Sequence, residues 1–347
     1  MLRILRSVDD MTALAPEWND LVARCPGYFL SQTFQWADAA WRTVAGPRGC
    51  ELFCLTLHVG ARLAGIWPLT VRHERGLRIV SPLGGDAGEY SAPLVEAGDV
   101  APMWREARRA GDLVVLPDVR ADSPLAKVLH EEGMRAVIYQ PVAAPYLARA
   151  EHADWEAYAA TVSSRLRSEI RRGHRRLAKR GDVWIGREAG DVPGLIDWSL
   201  QCKTRTLAEA GLGTNWIGRR DLRDFLVALA GRGDTTGELA VFAIKVDGVP
   251  VASHIVSVDR TRIEGYIGVY DPAWAACSPG NVLTEHVLRW AFDRGLDVDF
   301  RIGDQPYKEK WTGRSVDVTT WHVATSLRGL AVPLRWRAGR LLRRLRL

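Results

Sequence analysis

The stretch from residue 278 to residue 282 has the composition of a helix start that could bind an anion. Ser278 is a helix-capping residue type, Pro279 suits the first helical turn, and Gly280 lets a ligand approach the backbone. The first amides of a helix lie at the positive end of its dipole, so phosphate groups bind there. The site predicted at this start consists of Ser278, Pro279, Gly280, Asn281 and Val282, with Tyr270 from the preceding strand.

Two blocks of basic residues dominate the net charge of +6, which arises from 47 basic and 41 acidic residues. Residues 163–180 hold eight basic residues against one acid, and residues 327–347 hold seven arginines and no acid. Such blocks attract polyanions or anionic membrane surfaces, and a solvated helix face is the alternative. No nucleic-acid-reading motif accompanies either block, so nucleic acid is the weaker candidate partner.

Several function classes are excluded by what the sequence lacks. The five cysteines form no CxxC pair, which indicates reduced thiols in a cytoplasmic protein. No His or Cys pairs have the spacing of a zinc site, so we expect no metal, and no Gly-x-Ser-x-Gly elbow indicates a hydrolase. No apolar run reaches the ~20 residues of a membrane-spanning helix, and residues 1–10 do not resemble a secretory signal.

The elements that must position the helix start are predicted from alternating apolar residues. Residues 52–71 and 239–258 each form a hairpin, and Asp247-Gly248 in the second is a strong turn signal. A third strand over 262–270 completes a meander before the helix. Because the hairpin recurs in both halves, the sequence predicts a duplicated unit.

A chain of 347 residues is longer than one ordinary domain. The predicted fold class is α/β, of the α+β kind, with two tandem domains. Each domain is expected to hold a mixed, mostly antiparallel sheet flanked by helices. We expect domains at 1–150 and 151–326, the second with a basic helix over 163–180, and a basic amphipathic tail at 327–347.

The order of hairpin, third strand, Ser-Pro-Gly helix and the run Gly303-Asp304-Gln305-Pro306-Tyr307-Lys308 resembles the GNAT acyltransferase superfamily. More closely, it is similar to the Fem-like, BioF2-like branch, which includes proteins associated with cellulose and exopolysaccharide biosynthesis. The basic helix also resembles that branch, and Glu89-Tyr90 is similar to its acid-Tyr pair. The resemblance covers residues 25–325 and implies two GNAT-like halves, the first degenerate and the second binding an acyl donor.

The chemistry that this resemblance implies needs an acid and a base. An amine or hydroxyl acceptor must lose a proton as it attacks a thioester carbonyl, and the leaving thiolate must gain one. The candidate bases are Asp304 and Glu89, one from each half. Tyr307 or Tyr270 could protonate the thiolate, and Lys308 could stabilise developing charge or bind an acidic substrate. A capping or surface role is the alternative for each.

Substrate binding is assigned to side chains outside the helix start. Arg165 and Arg171 on the basic helix could hold an anionic acceptor, such as a nucleotide-sugar or a lipid-linked diphosphate glycan. Tyr90 belongs to the acid-Tyr pair, and His254 lies in a strand that faces either the cleft or the core. The expected donor is acetyl-CoA or another acyl-CoA. Residues 275–282 have one glycine and lack the leading Gln or Arg of the usual GNAT phosphate loop.

The sequence therefore predicts an acyltransferase that acts on a sugar amine or hydroxyl of an exopolysaccharide or cell-envelope glycan precursor. Direct transfer between bound substrates is expected, because no activated Cys or Ser stands out. We expect a cytoplasmic protein whose tail contacts the anionic inner face of a membrane. Two alternatives stay open: a Fem-type transferase that uses aminoacyl-tRNA, and a non-catalytic glycan-binding or assembly protein with the same fold.

Overall fold

The chain folds into two compact units. The computed structural model describes residues 1–85, 90–96, 98–132, 136–139, 141–214, 217–303 and 307–334. The first unit comprises Met1–Val142 and Val316–Leu347, and the second comprises Ala143–Ser315. Residues 335–347 of the predicted tail lie outside the described residues.

Helices and strands alternate along both parts of the chain. The elements up to residue 138 are β1 (Leu2–Leu5), α1 (Val8–Ala13), α2 (Ala15–Arg24), α3 (Phe34–Ala40), β2 (Glu51–Val59), β3 (Arg62–Glu74), β4 (Leu77–Pro82), β5 (Leu94–Val95), α4 (Ala101–Arg109), β6 (Leu113–Arg120), α5 (Pro124–His130) and β7 (Ala136–Ile138). The later elements are β8 (Val142–Leu147), α6 (Trp155–Thr161), α7 (Ser164–Ala178), β9 (Val183–Arg187), α8 (Val192–Glu209), α9 (Arg220–Ala230), β10 (Glu238–Val246), β11 (Val249–Val258), β12 (Arg262–Tyr270), α10 (Pro279–Phe292), β13 (Asp297–Asp299) and β14 (Ser315–Ala324).

The sheet of the first unit has the strand order β1-β2-β3-β4-β6-β14, with β5 beside β3 and β7 beside β14. Its pairs are antiparallel except for β4 and β6, which run parallel through Ile79↔Leu113 and Val80↔Val114. Trp67, Trp104 and Trp321 are buried in the core of this unit. The hairpin predicted over residues 52–71 is confirmed as β2 and β3.

The sheet of the second unit has the order β8-β13-β12-β11-β10-β9. Strands β10, β11 and β12 form the predicted meander with the predicted bounds, and the hairpin closes at Val246↔Val249. Strand β13 is parallel to β12, and the other pairs are antiparallel. Each unit therefore holds a mixed, mostly antiparallel sheet with flanking helices, as the sequence predicted.

The last strand differs from its predicted position. The predicted second domain, residues 151–326, includes the segment of β14, but β14 pairs with β6 and β7 of the first unit. The contact boundaries accordingly fall at residues 142 and 315 rather than 150 and 326. An alternating apolar pattern predicts that a strand exists, whereas its partner depends on distant parts of the chain.

Helix α7 docks on the second unit through one apolar stripe. Leu166, Ile170 and Leu177 are at most 2% exposed, which confirms the stripe that residue spacing predicts. Ser163 caps the helix by accepting a hydrogen bond from the Leu166 amide at 3.2 Å. Burial of each of these side chains contributes about 1.5–3 kcal/mol, so the helix is held firmly although its other faces are cationic.

Truncation of this stripe is expected to destabilise the second unit. Leu177→Ala removes a fully buried side chain, and the free energy of unfolding should fall by about 2–5 kcal/mol. The measurement is urea denaturation followed by fluorescence. Leu212 is 59% exposed, so Leu212→Ala is a control that should change stability by less than about 0.5 kcal/mol. Equal effects of the two substitutions would contradict the docking described.

Candidate active site

A cavity of about 450 Å³ lies in the second unit. It opens where β12 continues without β13 beside it: the parallel pairing ends at Glu264↔Asp299, whereas β12 runs on to Tyr270. The strands therefore part in the direction of the α10 start. The lining residues come from α7, α8, β11, the end of β12, the start of α10 and the segment after β13; they include Glu169, Lys203, Thr206, His254, Gly268, Tyr270, Ser278, Gly280, Asn281, Thr284, Tyr307 and Lys310.

The start of α10 has an unusual backbone. Ser278 adopts a left-handed conformation, with φ 47° and ψ 46°, and its side chain makes no capping hydrogen bond. The predicted capping role of Ser278 is therefore wrong, because side-chain capping needs an extended backbone at that position. Pro279 takes the first helical position, as predicted.

Few amides remain available at this helix start. The Ser278 amide donates to the Ala275 carbonyl at 2.9 Å, and the amides of Asn281 and Val282 donate to the Ser278 carbonyl at 3.1 and 3.2 Å. Proline has no amide hydrogen. Only the Gly280 amide has no acceptor among the described residues. The start thus offers the positive end of the helix dipole and one N–H, fewer donors than a free helix start has.

Helix α7 forms one wall of the cavity. The Asn281 amide side chain donates to Glu169 Oε1 at 2.9 Å, which joins this wall to the start of α10. Gly173 allows the approach, because a Cβ at this position would lie 2.5 Å from the Cys277 carbonyl oxygen. Arg176 donates to the Ala276 carbonyl at 2.5 Å. The basic helix therefore also has a structural role, since it holds the 3₁₀ turn Pro272–Cys277 that leads into α10.

Three polar side chains meet around Gly268 at the base of the cavity. A Cβ on Gly268 would lie 3.3 Å from His254 Nε2 and 3.9 Å from the Tyr307 hydroxyl. The Lys203 ammonium is 3.4 Å from the Gly268 carbonyl oxygen. A residue without a side chain here leaves room for all three groups, so a bound molecule could contact each of them.

Burial sets the protonation of these groups. Burial, with the nearby Lys203 charge, lowers the pKa of His254 to about 4, and burial raises the pKa of Tyr307 to about 12. The imidazole is therefore neutral and the phenol protonated near neutral pH. Burial also lowers the pKa of Lys203. The site can thus offer a neutral imidazole, a phenolic proton and an ammonium to one bound molecule.

A buried network of charged groups supports the segment that carries Tyr307. Glu264 accepts from Ser257 at 3.1 Å and from Arg301 at 3.3 Å. The Lys308 ammonium donates to the carbonyls of Arg301 and Ile302 at 3.0 and 2.8 Å. Burial raises the pKa of Glu264 to about 7 and lowers that of Lys308 to about 8. Lys308 therefore links the backbone at Arg301 and Ile302 to the position directly after Tyr307.

The structure gathers six of the residues predicted for the site around one cavity. These are Tyr270, His254, Ser278, Gly280, Asn281 and Tyr307. Pro279 and Val282 are buried, and Val282 belongs to the core. Lys308 is buried in the charged network, and Arg165 and Arg171 are exposed on α7.

The remaining predicted residues lie elsewhere. Tyr90 is in the first unit, packed edge-on against Phe29 at 4.9 Å. The candidate bases Asp304 and Glu89 lie outside the described residues, so their roles stay predictions. The sequence did not predict the cavity residues Glu169, Lys203, Thr206, Thr284 and Lys310. They lie in helix interiors or in a 3₁₀ turn, where the sequence does not show which side chains face a cavity.

The first unit has a very different helix start, at the beginning of α4. The Ala101 amide at the start of α4 donates to the Asp99 carboxylate at 2.8 Å, so a side chain of the protein provides the anion there. A cavity beside Tyr90 in this unit has a volume of about 20 Å³, enough for one water molecule. These features favour the second unit as the site of chemistry.

Comparison with known proteins agrees with this architecture. Residues 164–309 match the acetyltransferase (GNAT) domain family. The chain therefore contains a GNAT-type acetyltransferase domain, which confirms the resemblance drawn from the sequence. That match spans most of the second unit and every described residue of the cavity wall except Lys310. No curated protein matches the chain significantly.

Solved structures share the fold of the whole chain. FemX matches with a TM-score of 0.60 and 11% identity, covering 93% of this chain and 95% of its own. The C-terminal domain of a putative lysylphosphatidylglycerol synthetase from Agrobacterium fabrum has a TM-score of 0.56 and 12% identity, covering 94% and 95%. A tandem GNAT protein from the clavulanic acid biosynthesis pathway has a TM-score of 0.53 and 12% identity, covering 94% and 99%. The fold is therefore that of tandem GNAT domains, and these neighbours are consistent with the Fem-like branch.

Two further features are absent from the described part of the chain. No helix among them is both long and apolar enough to cross a membrane. No group of three or more His, Cys, Asp or Glu side chains in the described part of the chain could hold a metal ion.

The close approach at Gly173 generates a stability prediction. Gly→Ala inside a helix normally stabilises by roughly 0.5–1 kcal/mol, but here the new Cβ would meet the Cys277 carbonyl. Gly173→Ala should therefore lower the melting temperature, and ligand binding in the cavity should weaken as the start of α10 shifts. A Cβ on Gly213 would meet nothing within 4 Å, so Gly213→Ala is the control and should leave both unchanged. A higher melting temperature for Gly173→Ala than for the wild type would contradict the close contact with the Cys277 carbonyl.

The pKa shifts predict how stability depends on pH. His254 has a folded-state pKa near 4 instead of its ordinary 6.5, so its contribution is complete above about pH 6.5 and is lost as the pH falls toward 4. The contribution of Glu264 to stability depends on pH in the opposite direction. A carboxyl with a raised pKa stabilises the fold below about pH 4.5, and this stabilisation is lost as the pH rises through 7.

Urea denaturation across this pH range tests both signs. His254→Gln should flatten the dependence of unfolding free energy on pH, and Glu264→Gln should steepen its rise, each by at most about 1.4 kcal/mol per pH unit. Parallel curves for wild type and both variants would show that neither group titrates as its burial requires.

Proposed function

We propose that the second unit transfers an acyl group directly from an activated donor to an amine or hydroxyl acceptor. The observation that carries this proposal is the meeting of His254, Tyr307 and the Lys203 ammonium around Gly268, inside a cavity that begins at a helix start. This set provides the proton acceptor, the proton donor and the positive charge that acyl transfer needs. The GNAT-type domain match supports the same reaction class.

Each group has a distinct role in this mechanism. His254 is neutral near pH 7, so its imidazole accepts the proton that the acceptor loses during attack. The Lys203 ammonium stabilises the negative charge that develops on the carbonyl oxygen. Tyr307 remains protonated and donates to the departing group. Proton transfer by a positioned side chain contributes roughly 10²–10⁴ to the rate.

The cysteines support direct transfer rather than a covalent acyl-enzyme. Burial raises the pKa of Cys25 to about 11 and of Cys54 to about 12, and it raises the pKa of Cys50 and Cys202 as well. Cys277 is 2% exposed. A thiol that stays protonated and buried is a poor nucleophile, so the acceptor itself attacks the donor.

Acetyl-CoA or another acyl-CoA is the first donor class to test. The fit is partial: the start of α10 supplies a dipole and the Gly280 amide for a phosphate, and β12 runs beyond its last pairing with β13 at Glu264, where an extended chain could lie beside it. The tandem GNAT protein from the clavulanic acid biosynthesis pathway, a structure without AcCoA, has the same tandem fold. The sequence resemblance adds a glycan of an exopolysaccharide or envelope precursor as the acceptor class.

An aminoacyl ester carried by tRNA is the second candidate donor, and one observation favours it. The helix start has a single available amide, which is a weak diphosphate site, whereas α7 beside the cavity exposes many cations. Arg165, Arg172 and Arg175 have no ion-pair partner among the described residues. A row of cations binds a polyanion with steep salt dependence. FemX and a lysylphosphatidylglycerol synthetase domain share this fold.

Donor binding and two substitutions test the proposal. Calorimetric titration with acetyl-CoA, longer acyl-CoAs and charged tRNA should show one class that binds. His254→Gln and Tyr307→Phe should each lower kcat by at least about tenfold while donor affinity changes little, because both act on protons in the transition state. His73→Gln, an exposed position in the first unit, is the control and should retain full turnover.

The outcomes separate the mechanism from the reaction class. Full turnover in His254→Gln or Tyr307→Phe would remove that residue from the mechanism. If no donor of either class binds, the transferase proposal fails, and a non-catalytic glycan-binding or assembly protein becomes the better hypothesis.

A further inference from the structure

Lys203 is a half-buried cation for which the described residues provide no counter-ion. It lies inside α8 and lines the cavity, and its nearest acceptor is the Gly268 carbonyl at 3.4 Å, a long hydrogen bond. No carboxylate pairs with it among the described residues. A charge that is withdrawn from water without a partner costs free energy, which a bound anion would recover.

The other lysines of this unit that are withdrawn from water are paired. Lys245 forms an ion pair with Glu188, and Lys308 donates to two backbone carbonyls at 3.0 and 2.8 Å. The described part of the chain thus provides partners for two such ammonium groups and none of comparable quality for Lys203. The difference is that Lys203 faces the cavity.

The side chains that are proposed to react lie beside Lys203. The Tyr307 hydroxyl and the His254 ring both lie close to Gly268, whose carbonyl Lys203 contacts. Among the described residues of the cavity wall, Lys203 and Lys310 give two positive charges, and Glu169, which is hydrogen-bonded to Asn281, gives one negative charge, so their net charge is +1. A monoanion neutralises this wall, whereas a dianionic phosphate would overcompensate it.

We propose that the cavity binds a carboxylate of the substrate against the Lys203 ammonium, beside the reacting side chains of His254 and Tyr307. An ammonium carries three N–H donors, so Lys203 can serve this carboxylate and the developing oxyanion together. This inference rests on the proposed acyl transfer and deepens it, since it names the substrate class: a molecule whose carboxylate lies next to the reacting groups. The carboxylate has two sources. It belongs either to an acidic acceptor, such as a sugar acid, or to the acyl group of a dicarboxylic donor.

The test measures whether acids protect Lys203 from chemical labelling. The full-length protein is treated with trace acetic anhydride, and acetylation is measured at Lys203 and at the exposed Lys127 of the first unit by peptide mass spectrometry. Each acid is paired with a neutral relative: propionate with propionamide, glucuronate with glucuronamide, and succinyl-CoA with butyryl-CoA. The first pair probes the bare carboxylate, the second an acidic acceptor, and the third a dicarboxylic acyl group.

We expect at least one acid to protect Lys203 saturably, at a concentration about tenfold below its neutral relative, as one charge-assisted hydrogen bond supplies. Labelling of Lys127 should not change. Glucuronate selectivity assigns the carboxylate to the acceptor, and succinyl-CoA selectivity assigns it to the donor. Equal protection by every acid and its neutral relative, or protection by none, would overturn the proposal.

Substitution separates recognition of charge from general damage to the site. Lys203→Met should abolish the preference of the protected ligand for the acid, measured by calorimetry, and Lys203→Arg should retain part of it. Lys127→Met is the matched control and should keep the full preference. Retention of the acid preference in Lys203→Met would also overturn the proposal.

These readouts do not depend on turnover. If acids bind selectively but no acyl donor reacts, the carboxylate site stands and the proposed transfer fails. If a donor reacts but acids and neutral relatives bind alike, the transfer stands and the carboxylate site fails. In a reacting system, a charge-recognition role for Lys203 predicts that Lys203→Met raises KM for the acid more than for its neutral relative.

Discussion

The close contact between α7 and the 3₁₀ turn Pro272–Cys277 is the constraint on which the cavity depends. Gly173 meets the Cys277 carbonyl without an intervening side chain, and Arg176 takes the Ala276 carbonyl next to it. The turn can then enter α10 through the left-handed Ser278. This conformation is unfavourable for a non-glycine residue, by about 1–3 kcal/mol, so surrounding contacts must hold it in place. Helix α7 thus packs against the turn before α10, and the geometry of the α10 start follows from this contact.

Residue patterns predicted the local structure of the second unit well. The meander of β10, β11 and β12 agrees with prediction because alternation and the Asp247-Gly248 turn are local signals. Five of the six predicted residues that line the cavity lie within that meander or soon after it, at positions 254–281, and local signals placed them too. The partner of β14 and the orientation of Lys203 were not predictable, because long-range pairing and helix packing determine them. The capping role of Ser278 was wrong because residue type does not reveal a left-handed backbone.

The two units share a pattern and differ in what their helix starts can bind. In each, an antiparallel hairpin and a third strand precede a short parallel pairing, of two residue pairs in the first unit and three in the second. In the first unit, the carboxylate of Asp99 occupies the helix start. In the second, Gly280 keeps an amide available beside a cavity that is larger by more than an order of magnitude. Small changes at a helix terminus therefore decide which copy of a duplicated fold can retain a ligand site.

The pairing of β14 with β6 makes the second unit an insertion within the first in chain order. During synthesis, residues 143–315 emerge completely before the last strand of the first sheet exists, and domains generally fold as units while the chain grows. The nascent second unit can therefore acquire its core while the first still exposes the edge of β6. An unpaired edge is a template for wrong pairing, so the β6 edge can mispair until residue 324 has left the ribosome.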